Sequence, residues 1–160
     1  MRKREDVLRK DFKDMIKIFN EENVKYALVG GVAINLHGYI RTTHDLDLFV
    51  LASVENAELV MKALSIFGAP MDMVSKEDFE KEGVIFQIGV KPNRIDILTT
   101  LSGVKFDEVY KNVESVEVDG LKIKIISIED LIKNKLASGR NRDLDDVENL
   151  EEIILRRKGL

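Results

Sequence analysis

The sequence predicts an α+β fold in which a mixed β-sheet is flanked by helices. Short apolar strands and amphipathic helices interleave along the 160 residues, and two predicted hairpins imply antiparallel pairing within the sheet. No repeat, low-complexity tract or linker divides the chain. We therefore expect a single domain over residues 1–160, with a core at about 24–100 and a C-terminal hairpin and helices at about 116–157.

The N-terminal half is predicted to contain three helices and two strands. A first amphipathic helix covers residues 3–22, and an apolar strand at 26–29 stops at a Gly-Gly step. A brief helix then ends at Gly38, and residues 45–51 begin as a strictly alternating strand. Ser53 caps the third helix. The apolar stripes of the first and third helices are Leu8, Phe12, Met15 and Phe19, and Ala57, Val60, Met61 and Leu64.

Two hairpins are predicted in the second half. The strands at 84–90 and 94–99 are joined by a Lys-Pro-Asn turn. The strands at 116–118 and 121–126 are joined by an Asp-Gly turn, which is the strongest short-range turn signal in the chain.

Two C-terminal helices complete the prediction. Ser127 and Asp130 resemble a capping box, and they open a helix that continues to about Ser138. A last helix runs from about Asp143 to Arg157. Its inward side chains are predicted to be Leu144, Val147, Leu150 and Ile154.

Composition excludes several classes of site and of location. The net charge of −4 gives no overall attraction to nucleic acid or to an anionic membrane. The absence of cysteine excludes disulfides and thiolate zinc sites, so oxygen ligands for hard cations remain. The sequence shows neither a signal-peptide pattern nor the ~20 consecutive apolar residues of a membrane span. We therefore expect a cytoplasmic protein without a membrane partner.

Three polar features fall on consecutive predicted elements. Gly30 and Gly31 follow a strand, Asp45 and Asp47 open the next strand, and Asp96 lies within a later one. Alternate strand residues share a face, so the first two aspartates point the same way. If the two aspartate-bearing strands are neighbours, three carboxylates converge, and a cation such as Mg²⁺ would neutralise them. The Gly-Gly step lets backbone N–H groups approach a phosphate.

Each feature alone has an ordinary structural explanation. An Asp-x-Asp pair is typical of a solvated strand edge, and Gly-Gly is typical of a turn. Asp96 stands between two isoleucines, and a lone acid in an apolar strand needs a partner. The combination of all three, in this order, favours a site for a metal and a triphosphate.

The segment YALVGGVAINLHGYIRTTHDLDLFV resembles the signature of the DNA polymerase beta-like nucleotidyltransferase superfamily. That signature is a Gly-Gly or Gly-Ser step followed by Asp-x-Asp, and the segment around Asp96 is similar to the third carboxylate of the superfamily. The Gly-Gly form and the RTTH run before Asp45 look most like its small bacterial and archaeal members. These include abortive-infection-type proteins and minimal nucleotidyltransferases of toxin–antitoxin systems. The resemblance covers residues 24–100 well and the remainder loosely.

The resemblance implies a role for each of these residues. Gly30 and Gly31 would bind phosphate, Asp45 and Asp47 would hold both metal ions, and Asp96 would complete the catalytic metal site and help to activate the acceptor hydroxyl. The second glycine departs from the serine of many members, although the branch that adds tRNA 3′ ends also carries Gly-Gly. The further RNA-binding domains of that branch are missing here, so the resemblance does not extend to tRNA end synthesis.

Three residues near the motif have two interpretations each. Arg41 either forms a surface salt bridge or makes a forked contact to a phosphate. His44 stands beside the first aspartate, but strand alternation turns its side chain away, which favours a structural role. His37 is expected to be a packed or half-exposed residue.

The C-terminal helices carry a second basic segment. Lys135 interrupts an apolar helical stripe, so it either extends to the surface or points into a site. Arg142, Asp143 and Asp146 either form ordinary ion pairs at a helix start or belong to that site. The run KNKLASGRNRDLDD resembles the lysine-plus-Arg-Asp pattern of the small family members, which implies that Lys135 and Arg142 contact the triphosphate.

The sequence therefore predicts a metal-dependent nucleotidyltransferase. It would transfer a nucleoside monophosphate from an NTP to an acceptor hydroxyl and release pyrophosphate, with Mg²⁺, or alternatively Mn²⁺, as cofactor. The acceptor is unassigned, with RNA and protein as candidates. Two alternatives are a catalytically silent module that binds a nucleotide or a partner, and a toxin–antitoxin component that acts through a separate helical partner protein.

Overall fold

The structure is a computed structural model that describes residues 8–159, so residues 3–7 of the predicted first helix lie outside the described residues. One mixed sheet of six strands has the order β3-β4-β2-β1-β6-β5. Two short 3₁₀ helices, Met71–Met73 and Lys76–Glu80, follow the third helix. The other elements are α1 (Lys10–Glu21), β1 (Tyr26–Val29), α2 (Gly30–His37), β2 (Asp45–Val50), α3 (Val54–Phe67), β3 (Ile85–Ile88), β4 (Arg94–Leu98), α4 (Phe106–Lys111), β5 (Glu114–Val118), β6 (Leu121–Ile125), α5 (Ile128–Ser138) and α6 (Asn141–Arg157).

Strand directions confirm the predicted mixed sheet. β1 runs antiparallel to β2 and parallel to β6, while β2 runs parallel to β4. The predicted hairpins form the two outer pairs, β3 with β4 and β5 with β6. At the second hairpin, Asp119 and Gly120 both have positive φ, at 52° and 80°, as a tight two-residue turn requires.

The core covers both faces of β1 and one face of the aspartate-bearing end of β2. All four residues of β1 are buried, and the apolar residues of β2 alternate with its two aspartates. α1 packs against α3 and β6, and its buried Phe12 and Phe19 fill the space beneath them. Aromatic edge contacts such as Phe19 with Tyr26 complete this layer. Burying one face of β2 leaves the opposite face free to carry polar groups.

Several predicted boundaries differ from the structure. Helix α1 begins at Lys10, because Arg9 is extended (ψ 159°), and Leu8 enters the core from outside the helix. Sequence patterns also missed α4 and the two 3₁₀ helices, which are too short to show a full apolar period. Ser53 and Ser127 cap their helices as predicted, each accepting a backbone N–H bond.

The prediction that Leu144 faces inward is wrong. Its side chain is 48% exposed, whereas Asp143 and Asp146 of the same helix are buried. Val147 and Leu150 are buried as predicted, and Asp143, one turn before Val147, takes the inward position at the start of the helix. Ion pairs, described below, stabilise this arrangement. Among residues 8–159, no helix is long and apolar enough to cross a membrane.

Candidate functional site

The three predicted carboxylates converge on one face of the sheet. β2 and β4 are parallel neighbours, and their register places Asp47 directly beside Asp96. Asp45 lies two residues earlier on the same face of β2, while the intervening Leu46 is fully buried on the other side. One oxygen from each carboxylate lies within 4.8 Å of the others. We call Asp45, Asp47 and Asp96 the carboxylate cluster.

Electrostatic repulsion within the carboxylate cluster is strong. Burial, together with the adjacent charges of Asp45 and Asp96, raises the pKa of Asp47 to about 8. Asp96 is itself only 5% exposed. Without an added cation the cluster therefore holds a proton on Asp47 near neutral pH, because three ionised carboxylates at this spacing repel each other.

Arg94 is a site residue that the sequence prediction missed. Its guanidinium donates to Oδ2 of Asp45 at 2.6 Å and to both oxygens of Asp96 at 3.0 and 3.2 Å. It reaches them because it lies two residues before Asp96 and opposite Asp45 in the strand register. The Arg-x-Asp alternation of β4 was the sequence signal, since alternate strand residues share a face. Arg94 thus supplies one positive charge that contacts two of the three acids, Asp45 and Asp96.

The Gly-Gly step packs directly against the carboxylate cluster. Gly30 has a φ of +71°, and a Cβ there would collide with the carboxylate of Asp47. A Cβ on Gly31 would lie 2.7 Å from Oγ1 of Thr43. Because α2 begins at Gly30, the first backbone N–H groups of this helix adjoin the cluster.

A second charged group links α5, α6 and the loop before β2. Nζ of Lys135 lies 3.2 Å from Asp143 and 3.4 Å from Asp146. Nε of Arg140 donates to Asp143 at 2.8 Å, and Arg41 pairs with Asp146. We call these five residues the ion-pair cluster. Both carboxylate partners of Lys135 are buried, so its ion pairs contribute to the fold as well as placing its charge beside the cleft.

Arg41 forms an ion pair and also borders the space beside the Gly-Gly step. Nη2 of its guanidinium donates to Oδ2 of Asp146 at 3.2 Å, so the predicted salt bridge is present. Because Asp146 is buried, this salt bridge is not a surface pair. Nε of Arg41 lies 3.2 Å from Oδ1 of Asp146 and yet makes no aligned hydrogen bond. The same side chain lies near Gly31 and lines the cleft beside it. It is therefore available to a ligand there.

A cleft of about 250 Å³ joins these groups. Gly30 and Gly31 form one part of its wall, and Asp45 and Asp47 form another. Six cationic side chains surround it: Arg41, Lys91, Arg94, Lys135, Arg140 and Arg142. Arg142 is exposed at the cleft, as its predicted contact with a ligand requires. We call this space the cationic cleft, and its lining suits a polyanion that also carries metal ions.

The two histidines lie away from the cationic cleft lining. His37 is buried, with Nε2 2.7 Å from the carbonyl oxygen of Ile126, so the prediction of a packed residue is confirmed. Burial lowers the pKa of His37. His44 is exposed beside Asp45.

Comparison with known proteins gives a family and a fold. Residues 8–160 match the family described as "Nucleotidyl transferase of unknown function (DUF2204)". A search of curated protein sequences gave no significant match.

Solved structures with a similar fold are described as nucleotidyltransferases. One from Thermotoga maritima is 17% identical, covers 93% of this chain and 96% of its own, and has a TM-score of 0.61. A lincosamide antibiotic adenylyltransferase with lincomycin bound is 17% identical over 91% of this chain and 98% of its own, with a TM-score of 0.57. ANT(2")-Ia in complex with adenylyl-2"-tobramycin is 15% identical over 92% and 95%, with a TM-score of 0.53. At these identities the likeness shows the shared α+β fold.

Proposed function

The chain belongs to this family of nucleotidyl transferases, and we propose that it transfers a nucleoside monophosphate from an NTP to an acceptor hydroxyl with release of pyrophosphate. The carboxylate cluster would hold Mg²⁺, or alternatively Mn²⁺. The cationic cleft would hold the triphosphate. The single observation that carries this proposal is the contact between the two: Gly30 touches Asp47, and both line the cationic cleft.

The carboxylate cluster suits a hard divalent cation. Its donors are all carboxylate oxygens within 4.8 Å of one another, and such oxygens are the ligands that Mg²⁺ shares with phosphates. The single guanidinium of Arg94 leaves the three acids with excess negative charge. When bound, a divalent cation would neutralise this charge and polarise the phosphoryl oxygens of the substrate.

The triphosphate would be bound by backbone and cationic groups together. Gly30 and Gly31 present the N-terminal N–H groups of α2, where the helix dipole favours an anion. Arg41, Lys135 and Arg142 would supply charge-assisted hydrogen bonds to the phosphate oxygens. Asp143 and Asp146 would keep two of these cations oriented toward the cleft.

Bond changes in the proposed reaction occur at the α-phosphorus. The acceptor oxygen forms a bond to this phosphorus while the bond to the bridging oxygen of pyrophosphate breaks in line with it. Asp96 would take the proton of the acceptor hydroxyl, and pyrophosphate leaves with the electron pair. An NTP substrate agrees with the cytoplasmic location expected from the sequence.

Incubation of the purified protein with each α-labelled NTP, Mg²⁺ and a cell extract tests this proposal. We expect metal-dependent transfer of the label to an acceptor, and no transfer by the Asp45→Asn/Asp47→Asn double variant. Equal labelling by the double variant would contradict the assignment of the site. The complete set of carboxylates favours catalysis over the silent binding module. The toxin–antitoxin role with a helical partner stays a prediction from the resemblance.

A further inference from the structure

A second cleft adjoins the carboxylate cluster on the side away from Arg94. It also has a volume of about 250 Å³, and it shares Gly30, Asp47, Lys135 and Arg140 with the cationic cleft. Its remaining wall is contributed mainly by β3, β4, the segment after β4 and one side of α5. We call it the neutral cleft, because most of its lining residues are uncharged.

Along the face of β4 that carries Asp96, the side chains change from charged to apolar within two residues. Leu98 follows Asp96 on the same face of β4, and Ile85 pairs with it on β3. Alternate strand residues lie about 6.6 Å apart, so this apolar floor begins one side chain beyond the carboxylates. In the opposite direction the same face carries Arg94. On this face of β4, the carboxylate cluster therefore lies between a cationic side chain and an apolar floor.

Three neutral hydrogen-bonding residues stand beside this floor. Thr100, Ser102 and Asn134 line the neutral cleft, and Asn134 is buried with its amide donating to the backbone of Ser102. Its two cationic lining residues, Lys135 and Arg140, are both paired with Asp143. Among the described residues that line it, none is aromatic. If the triphosphate engages Lys135 in the cationic cleft and Arg140 stays paired with Asp143, the neutral cleft retains little cationic charge for a second polyanion, and its lining offers no stacking surface for bases.

The proposed reaction requires the acceptor on this side. The leaving pyrophosphate and the attacking oxygen lie on opposite sides of the α-phosphorus in an in-line displacement. If pyrophosphate departs into the cationic cleft, the acceptor oxygen approaches across Asp47 from the neutral cleft. The nucleoside then projects sideways from the axis of attack.

We propose that the neutral cleft binds the acceptor and that this acceptor is a small, uncharged, hydroxyl-bearing molecule with an apolar edge. This inference rests on the proposed function of the carboxylate cluster. The volume of the neutral cleft is at or below the ~300 Å³ lower end of ordinary ligand pockets, which suits one or two rings and not a polymer. The apolar edge would lie on Ile85 and Leu98, and the neutral polar groups would bind the remaining hydroxyls.

A charge-reversal pair at Ile85 tests the class of acceptor. Ile85 is 62% exposed at the edge strand, so Ile85→Lys and Ile85→Glu should both fold. Ile66→Lys and Ile66→Glu provide a matched control, since Ile66 is 54% exposed on α3 and lines neither cleft. The assay follows label from α-labelled ATP with Mg²⁺ into three separate probes: a low-molecular-mass ultrafiltrate of cells, total RNA and total protein. Thermal unfolding confirms that each variant folds.

We expect label only in the ultrafiltrate. Before the reaction, the acceptor in this ultrafiltrate should pass through an ion-exchange column unretained, because it carries no charge. Both Ile85 variants should lower this transfer by about tenfold, a discrimination typical of a mismatched pocket, and both Ile66 variants should leave it unchanged. Binding of a non-hydrolysable ATP analogue with Mg²⁺ should be equal in all five proteins. That equality would assign the loss to the acceptor and not to the nucleotide.

Several outcomes would overturn the inference. Label in RNA or protein, or in no probe although the ATP analogue binds, would exclude a small uncharged acceptor. An increase with Ile85→Lys and a decrease with Ile85→Glu would indicate an anionic one. Weaker binding of the ATP analogue by both Ile85 variants would assign the cleft to the nucleoside instead. Failure of the wild-type protein to bind a non-hydrolysable analogue of any of the four NTPs with Mg²⁺ would refute the proposed function itself, and the inference with it.

Discussion

The carboxylate cluster and the ion-pair cluster are both rich in buried charge and border the same cationic cleft, yet their charge balances are opposite. In the ion-pair cluster, two buried acids are matched by three cations. In the carboxylate cluster, three acids face the single guanidinium of Arg94, and one acid has a pKa raised to about 8 by burial and its neighbours. The first cluster is neutralised within the chain and the second is not.

This difference separates a structural role from a functional one. Buried charges that are paired and hydrogen-bonded hold elements in register, and removing one partner leaves the other unpaired. Buried charges that lack enough partners cost stability, so a fold retains them where a ligand supplies the missing charge. We therefore expect acid-to-amide substitutions to have opposite effects on stability in the two clusters.

The largest expected effect is on activity at the carboxylate cluster. Asp47→Asn should lower nucleotidyl transfer by about a thousandfold or more, because a metal contributes several kcal/mol to such reactions. The metal-free unfolding temperature should stay equal or rise, since the change removes an acid whose ionised form is disfavoured by burial and by its two acidic neighbours. Steady-state label transfer and calorimetry measure the two quantities. Easy unfolding of the metal-free variant would contradict the functional assignment.

The same substitution in the ion-pair cluster should act on stability. Asp146→Asn leaves Arg41 and Lys135 without one of their carboxylates, and breaking such a buried pair costs about 3 kcal/mol of unfolding free energy. Denaturant titration measures the loss. Asp145→Asn, on the exposed side of the same helix, is the control and should change the unfolding free energy by less than about 0.5 kcal/mol. Equal stability of both variants would show that the buried pairs contribute nothing.

Lys135 belongs to the ion-pair cluster and also lines the cationic cleft, so its replacement tests whether the two roles coexist. Lys135→Met should weaken binding of a non-hydrolysable NTP with Mg²⁺ by about 2 kcal/mol, within the range for hydrogen bonds to charged groups. It should also lower stability, because Asp143 and Asp146 each lose a partner. Lys133→Met, an exposed neighbour, serves as control. Unchanged affinity would remove Lys135 from the phosphate site.

The smallest expected effect concerns the close approach of Gly30 to the carboxylate cluster. Gly30→Ala adds a Cβ in a left-handed backbone conformation and against Asp47, so it should cost more than the ~1–2 kcal/mol of backbone strain alone. Gly68→Ala, also at positive φ but with open space around its Cβ, measures the strain by itself. Denaturant titration of both variants gives the difference. Equal losses would mean that Asp47 moves aside without cost.

The carboxylate cluster could be predicted from the sequence because its geometry is local to strands. Alternation fixes the faces of Asp45, Asp47 and Asp96, and one assumption, that β2 and β4 are neighbours, brings them together. Arg94 obeys the same alternation and could have been found by it. Caps and the Asp-Gly turn were predictable for the same local reason.

The ion-pair cluster could not be predicted in the same way. Its members lie on α5, α6 and the loop before β2, so their pairing depends on how helices cross and not on any spacing within one segment. The apolar pattern even placed Leu144 inside, where the structure buries Asp143. Hydrophobic periodicity assumes that the buried face is apolar, and paired charges violate this assumption.

The most direct test of the central claim is the effect of Mg²⁺ and Mn²⁺ on the unfolding temperature without nucleotide. A cation that binds the folded carboxylate cluster stabilises it by mass action, so the wild-type unfolding temperature should rise with metal concentration. Asp45→Asn/Asp47→Asn should unfold at an equal or higher temperature without metal and show no rise with it. A wild-type protein that does not respond to either metal, together with a double variant that unfolds easily, would show that the aspartates are structural.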